Sequence, residues 1–210
     1  MVVTDTQRAY RGIKERIITT QMLPGAVIQE SALMAELGLG RTPIREALKL
    51  LEAEKLVVVS SRRGMFVTGV RISDLAELQE IRSALDPLCV RLAVARIGAP
   101  ELAEMRQLVA AAQELTDKRD MAALMANDRR FHALLTKAAG NELLEAELEM
   151  LYNLSARIWY LYLERLTPGD LSFDTLAEIV SALETKNTGR AERAILKHIQ
   201  DFGETIRRHI

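Results

Sequence analysis

The sequence predicts a mainly α protein built as an N-terminal winged helix-turn-helix followed by a C-terminal all-α helical bundle. Three observations predict it. Residues 41–69 read as a short helix with basic residues at its start, a strand, a basic glycine-tipped turn and a second strand, the order of a recognition helix and its wing. From Ser73 onward the apolar residues recur with a helical period to the C-terminus, with no convincing strand. Finally, 49% hydrophobic, 27% charged and only 4% aromatic residues suit a helical protein with enough apolar surface for real cores.

The elements follow in order. Ala9, Ile13, Ile17 and Ile18 share one face of a first helix that stops before Leu23-Pro24-Gly25. Ala26-Val27-Ile28 is a short extended segment. Leu33, Met34 and Leu37 give a second helix ending at Gly38, a residue suited to a left-handed C-cap. Leu39-Gly40-Arg41-Thr42 is the turn. Thr42 is the expected N-cap of a third helix, with Pro43 at its first position, where a missing N–H costs nothing. Ile44, Ala47, Leu48 and Leu51 form that helix's buried face, which leaves Arg41, Thr42, Arg45 and Lys49 at its start and along its solvent side. Leu56–Val59 and Met65–Val67 are the wing strands, joined by Ser60-Ser61-Arg62-Arg63-Gly64.

These basic residues carry a chemistry. The first residues of a recognition helix reach base edges in the major groove, and arginine's paired donors match guanine or a phosphate. Arg62 and Arg63 sit on the wing, where Gly64 permits a tight turn close to a sugar-phosphate edge. The expected DNA-binding set is therefore Arg41, Thr42, Arg45, Lys49, Arg62, Arg63 and Gly64.

Arg41-Thr42-Pro43-Ile44-Arg45-Glu46-Ala47-Leu48, Leu51-Glu52-Ala53-Glu54 and Gly64-Met65-Phe66-Val67 together resemble the N-terminal domain of the GntR superfamily of transcription regulators. The resemblance covers roughly residues 8–70. Gly40 departs from it, replacing the usual Ser and its hydroxyl. So does Lys55, which stands where a turn glycine is usual, so that turn has to accommodate a side chain.

A domain boundary is expected at Gly69-Val70-Arg71-Ile72, dividing the chain into 1–70 and 71–210. Ser73 is the expected N-cap of the next helix and Asp74 lies in its first turn. The periodicity places helices at 73–97, 100–117, 120–139, 141–166, 173–186 and 189–208. Their breaks are Gly98-Ala99-Pro100, Asp117 to Asp120, Gly140-Asn141, Thr167-Pro168-Gly169-Asp170 and Asn187-Thr188-Gly189, and Pro87 is expected to kink the first of them.

Asp128 and His132 lie at i, i+4 and share a helix face, while His198 stands on the last helix. A carboxylate and two imidazoles suit a divalent first-row metal such as Zn, Ni or Mn, although spacing alone equally fits histidines that are merely hydrogen-bonded. The segments Glu80–Leu88, Asp128–His132 and Gly140-Asn141 resemble the FCD ligand-binding domain of the FadR-type branch. The resemblance implies a metal held by an Asp-x-x-x-His pair, a middle His and a final His about 22 positions later. Asp128, His132 and His198 match, but the middle position is Leu176, which cannot ligate. Two outcomes stay open: a three-ligand metal with positions left for water or an effector carboxylate, or a metal-free pocket. Arg82 matches an arginine that the family directs toward the effector, which implies an anionic, carboxylate-type ligand. Asn153, Arg157 and Tyr160 are further candidates to face that cavity, a plain salt bridge being the alternative for Arg157. Trp159 reads as core or interface, and Cys89 as a buried, inert thiol.

Charge supports the division. Residues 1–70 hold ten Lys/Arg against seven Asp/Glu, and residues 71–210 hold eighteen against twenty-two, so a module of +3 precedes one of −4 within a net −1. A single cysteine excludes an internal disulfide and suits a reducing cytoplasm. There is no signal-peptide pattern and no apolar run of the roughly 18 residues a membrane span needs. The expected protein is a cytoplasmic homodimeric regulator binding an inverted-repeat operator in double-stranded DNA, and the family resemblance implies a repressor more than an activator. A metal-dependent hydrolase using Asp128, His132 and His198 is the enzymatic rival, but no general base, nucleophile motif or oxyanion element accompanies those residues.

Overall fold

A computed structural model describes residues 3–167 and 174–209. The chain divides into two compact units, Met1–Arg71 and Ile72–Ile210.

The first unit contains α1 (Asp5–Ile18), α2 (Glu30–Leu37), α3 (Arg41–Ala53), β1 (Val57–Ser60) and β2 (Gly64–Val67). Thr4 opens α1 through a reciprocal box: its hydroxyl accepts from Gln7 N–H at 3.2 Å, and the Gln7 side chain accepts from Thr4 N–H at 3.0 Å. Ala9, Ile13, Ile17 and Ile18 of α1 are buried together with Ile44, Ala47, Leu48 and Leu51 of α3, so the two apolar faces form the core of this unit. Gly38 ends α2 in the left-handed region at φ 64°, as its position in the sequence predicts. The strands pair antiparallel, Val57 opposite Val67 and Ser60 opposite Gly64. Val27 bridges to Phe66, and Ile28 N–H donates to Met65 C=O at 2.8 Å, so the extended segment 26–28 lies along the outer edge of β2.

One local expectation is corrected. The N-cap of α3 is Gly40, not Thr42, and no side chain caps the helix. Pro43 therefore occupies the third helical position, still among the first N–H groups that have no intrahelical acceptor. Thr42 sits inside the first turn, with its side chain exposed.

The second unit contains α4 (Ile72–Arg96), α5 (Ala99–Asp117), α6 (Met121–Ala139), α7 (Glu142–Tyr162), α8 (Asp174–Glu184) and α9 (Thr188–His209), with a 3-10 turn at Leu163–Arg165. Because α4 already begins at Ile72, Ser73 lies within it and is not its N-cap. The helix runs on through Pro87, whose ring displaces a hydrogen bond to the C=O of Ser83, an exposed residue that water can reach. The helix expected at 141–166 gives way to the 3-10 turn after Tyr162, and Pro168–Phe173 lie outside the described residues. Asp120 and Asn141 cap α6 and α7, accepting from Ala123 N–H at 3.0 Å and Leu144 N–H at 3.2 Å, with Gly140 left-handed between them.

Helix α4 is central, packing against α6, α7, α8 and α9. Its buried Leu75, Leu78, Val90 and Ala93 meet a core that includes Phe131 and Leu135 of α6, Leu148 of α7 and Ile195, Ile199 and Ile206 of α9. Cys89 is fully buried and burial pushes its thiol up to about 12, so it behaves as a small apolar side chain.

Candidate functional site

The first unit exposes basic residues on α3 and on the wing. Arg41, Thr42, Arg45 and Lys49 are all exposed on α3, opposite its buried face. Glu30 at the start of α2 lies 3.5 Å from Arg45 Nε, a loose contact that leaves the Arg45 side chain 61% exposed. With no capping side chain at Gly40, the first N–H groups of α3 remain open to an anion. On the wing, Arg62, Arg63 and Gly64 are exposed, and the turn places both Arg62 and Gly64 at positive φ, 71° and 97°. Arg63 Nε donates to Ser60 Oγ at 3.2 Å, which steadies the wing tip.

The second unit brings Asp128, His132 and His198 together. One ligand atom from each lies within 4.8 Å of the other two. The imidazole Nε2 atoms are 3.2 Å apart, and Asp128 stands 3.7 Å from His132 Nε2 and 3.9 Å from His198 Nε2. The latter two distances are too long for hydrogen bonds. Bonds of about 2.0–2.2 Å to a tetrahedral ion would space its ligands by roughly 3.3–3.6 Å, so the three groups stand close to the spacing an ion between them requires. Two buried atoms here have no hydrogen-bond partner, Asp128 Oδ1 and His132 Nδ1.

Burial holds both imidazoles neutral: His132 is pushed well below its ordinary value, with the charges of His198 and Arg82 adding to the effect, and His198 is pushed down to about 3 by burial and Arg82. The Asp128 carboxyl is raised to about 6 by burial, with Arg82 opposing. At neutral pH this leaves two imidazole lone pairs and a mostly ionised carboxylate converging on one point, the donor set of a first-row metal site. His198 Nδ1 lies 3.0 Å from Thr175 Oγ1, the kind of outer contact that fixes a ligating ring. Leu176, at the position of the missing ligand, is fully buried in the apolar core.

The residues expected around an effector are not gathered in one place. Arg82 lines the pocket beside Asp128 and His198, but its guanidinium is engaged. It donates Nε and Nη2 to Asp86 Oδ2 at 3.2 and 3.0 Å and Nη1 to Ser155 Oγ at 3.3 Å, and it lies over the Tyr152 ring, 4.6 Å from the centroid. Burial opposes its charge, and the adjacent Asp86 more than offsets this, so Arg82 stays protonated. Arg157 is buried away from the pocket lining; burial lowers it to about 10 and Asp74 of α4 supports its charge. Asn153 lines a different groove, and Tyr160 packs with Leu124 and Met125. Trp159, in contrast, does line the pocket, with Phe202 at 5.3 Å between ring centroids. The pocket volume is about 30 Å³, room for an ion and a water but not for a metabolite. Asp86, Tyr152, Ser155 and Thr175 complete the site and were not picked out from sequence; only Asp86 carried a signal, four residues after Arg82 on the same helix face.

Comparison with known proteins agrees with both units. The FCD domain matches residues 77–201, and the family described as bacterial regulatory proteins, gntR family, matches residues 5–67. The HTH-type transcriptional repressor RspR of Escherichia coli K12 is 24% identical over 96% of this chain and 88% of its own length. GlaR, an HTH-type transcriptional repressor of the same organism, is 28% identical over 90% of each chain. Among solved structures, E. coli McbR/YncC superposes with a TM-score of 0.90 at 23% identity, covering 99% of both chains, which shows the shared fold. These families and relatives are regulators rather than enzymes, so the hydrolase alternative falls away. No helix among the described residues is long and apolar enough to cross a membrane. The chain belongs to the GntR family of transcription regulators, with a gntR-type DNA-binding region followed by an FCD domain.

Proposed function

We propose that this chain acts as a cytoplasmic, homodimeric repressor that grips an inverted-repeat operator through Arg41, Thr42, Arg45, Lys49, Arg62, Arg63 and Gly64. The observation that carries this reading is the exposed basic face of α3, joined to an arginine-tipped wing, in a unit matched by the gntR family. Arg41 and Arg45 discriminate bases, while Lys49 and the wing arginines hold phosphates and make affinity fall with salt. Two copies are needed because one short helix reads only a few base pairs. The repressor direction follows the names of RspR and GlaR.

In the FCD domain, Asp128, His132 and His198 would hold a divalent metal, Zn, Ni or Mn, whose remaining positions accept water or the carboxylate of a small anionic effector. The bound metal would supply positive charge to anchor that carboxylate. Arg82, already held by Asp86, contributes a fixed positive field at the same point. Admission of a metabolite beyond its carboxylate head requires the lining to move, and Trp159 is its half-buried aromatic member. Effector and operator then change each other's affinity by the same factor, typically about 1–3 kcal/mol.

The test is selection of genomic fragments by the purified protein at two salt concentrations, with Arg45→Ala as control. Enrichment of a short inverted repeat that Arg45→Ala loses supports the reading. Binding indifferent to Arg45→Ala removes α3 from the interface.

A further inference from the structure

A second cavity lies outside the metal pocket. It is a groove of about 340 Å³ between α6 and α7, lined by Arg129, Arg130 and Thr136 from one helix and Glu145, Glu149 and Asn153 from the other. This is the size of a metabolite site, about ten times the volume of the pocket beside His132. Small Ala126 and Ala133 on α6 leave the space open.

The groove has two chemically different ends. Helices α6 and α7 are joined by a tight turn at Gly140-Asn141 and pack on one another, so the end of α6 lies beside the start of α7. Thr136 and Glu145 therefore mark one end, and Arg129, Arg130 and Asn153 the other. Glu145 and Asn153 are eight residues apart on one helix stripe, about 12 Å along the axis. At the basic end Asn153 is only 6% exposed, yet its Nδ2 has no hydrogen-bond partner. A buried amide donor is normally satisfied, and one left open at a cavity wall marks where an acceptor belongs. At the acidic end the half-buried Glu145 carboxylate makes no hydrogen bond or ion pair among the described residues. Arg130, also on the groove wall, is already paired with Glu104 at 2.9 Å.

We propose that this groove binds an elongated zwitterion, an ω-amino carboxylate or short peptide, with its carboxylate accepting from the open amide of Asn153 and its ammonium at Glu145. The site is independent of the metal and of DNA binding, although Arg129 and Tyr152 line both cavities and form the wall between them.

The test uses the full chain and 6-aminohexanoate, followed by calorimetry, with hexanoate and hexylamine as single-charge controls. Saturable binding is expected for 6-aminohexanoate, with each control weaker by about tenfold, since each lacks one charged hydrogen-bonding end. Glu145→Gln and Asn153→Ala should each weaken it by about tenfold. Asp128→Asn, which removes a proposed metal ligand, should leave it unchanged. Glu145→Gln alters a half-buried side chain and keeps its shape, so it reports even where Asn153→Ala perturbs folding. Absence of saturable binding overturns the proposal. So does equal binding of hexanoate, or binding indifferent to Glu145→Gln. A Glu145→Gln variant that alters self-association while no probe binds would likewise overturn it, and assign the groove to contact between copies.

Discussion

Thr175 Oγ1 lies 3.0 Å from Nδ1 of His198, on the side of the ring opposite the Nε2 that meets His132. Thr175 directly precedes Leu176, so the segment whose Leu176 cannot ligate still meets His198 through Thr175. Orientation of the ring by an outer hydrogen bond would direct its lone pair at the ion proposed for this site. Thr175→Val keeps the volume and removes the bond, and should lower metal affinity by about tenfold or more. Thr175→Ser should retain it. Metal titration of the two variants checks this, and equal affinity in Thr175→Val and the parent would show that His198 needs no anchor.

Asp128 gives the pocket its pH dependence. Its carboxyl titrates at about 6 in the fold against an ordinary 3.8, so the folded state holds the proton more tightly than the unfolded chain. The metal-free protein should therefore lose stability as pH rises from about 4 to about 6 and then level off. Metal affinity should run the other way, rising through about 6 as the carboxylate ionises, because both imidazoles are already neutral there. Asp128→Asn removes both slopes. At neutral pH it should stabilise the metal-free protein by about 1–2 kcal/mol, discounted for partial exposure, while abolishing stabilisation by metal. Denaturation with and without added metal at several pH values reads both signs.

Much of this was legible in the sequence because it rests on local signals. The apolar faces of α1 and α3, the left-handed Gly38 and the break at Gly140-Asn141 follow from spacing and residue type. Asp128 and His132 share a face by helix period, and the resemblance to the FCD domain brings in His198. What stayed hidden depends on packing between distant elements. Thr175 meets His198 across 23 positions, and Tyr152 reaches Asp86 across 66, donating to Oδ1 at 3.1 Å. Neither contact leaves a periodic trace. The N-cap of α3 was misplaced for a different reason: Gly40 caps with its backbone alone, so the nearby hydroxyl of Thr42 and Pro43 gave the stronger signal. For Arg157 the sequence leaves a cavity role and a plain salt bridge open, and the charge of Asp74 supports the second.

Gly203 of α9 faces the side chain of Gln79 on α4. A Cβ at this position would stand 1.9 Å from Gln79 Nε2, too close for any side chain. Gln79 cannot simply swing away at no cost, because Nε2 donates to Ile199 C=O at 3.1 Å and Oε1 accepts from Arg207. Gly203→Ala should break both bonds and destabilise the FCD domain by about 1–3 kcal/mol, even though alanine is the better helix former. In a Gln79→Ala background the same substitution should cost far less. A double-mutant cycle measured by denaturant unfolding gives the coupling, and additive effects would place the conflict elsewhere.

Lys55 closes α3 in a conformation that favours glycine. Lys55 N–H donates to Glu52 C=O at 3.0 Å and Leu56 N–H to Leu51 C=O at 2.9 Å, the paired bonds of a left-handed helix end, with Leu51 and Leu56 both buried behind it. Its φ is 61°, where a Cβ crowds the following carbonyl. The exposed side chain accordingly carries strain that the two hydrogen bonds and the leucine contact outweigh. Lys55→Gly relieves the strain but makes the unfolded chain more flexible, so the net gain should be about 0.5–1 kcal/mol. Lys55→Val, branched at Cβ, should lose at least as much. Thermal unfolding of the two variants tests the sign, and a destabilised Lys55→Gly protein would mean that the lysine stem contributes packing beyond its backbone cost.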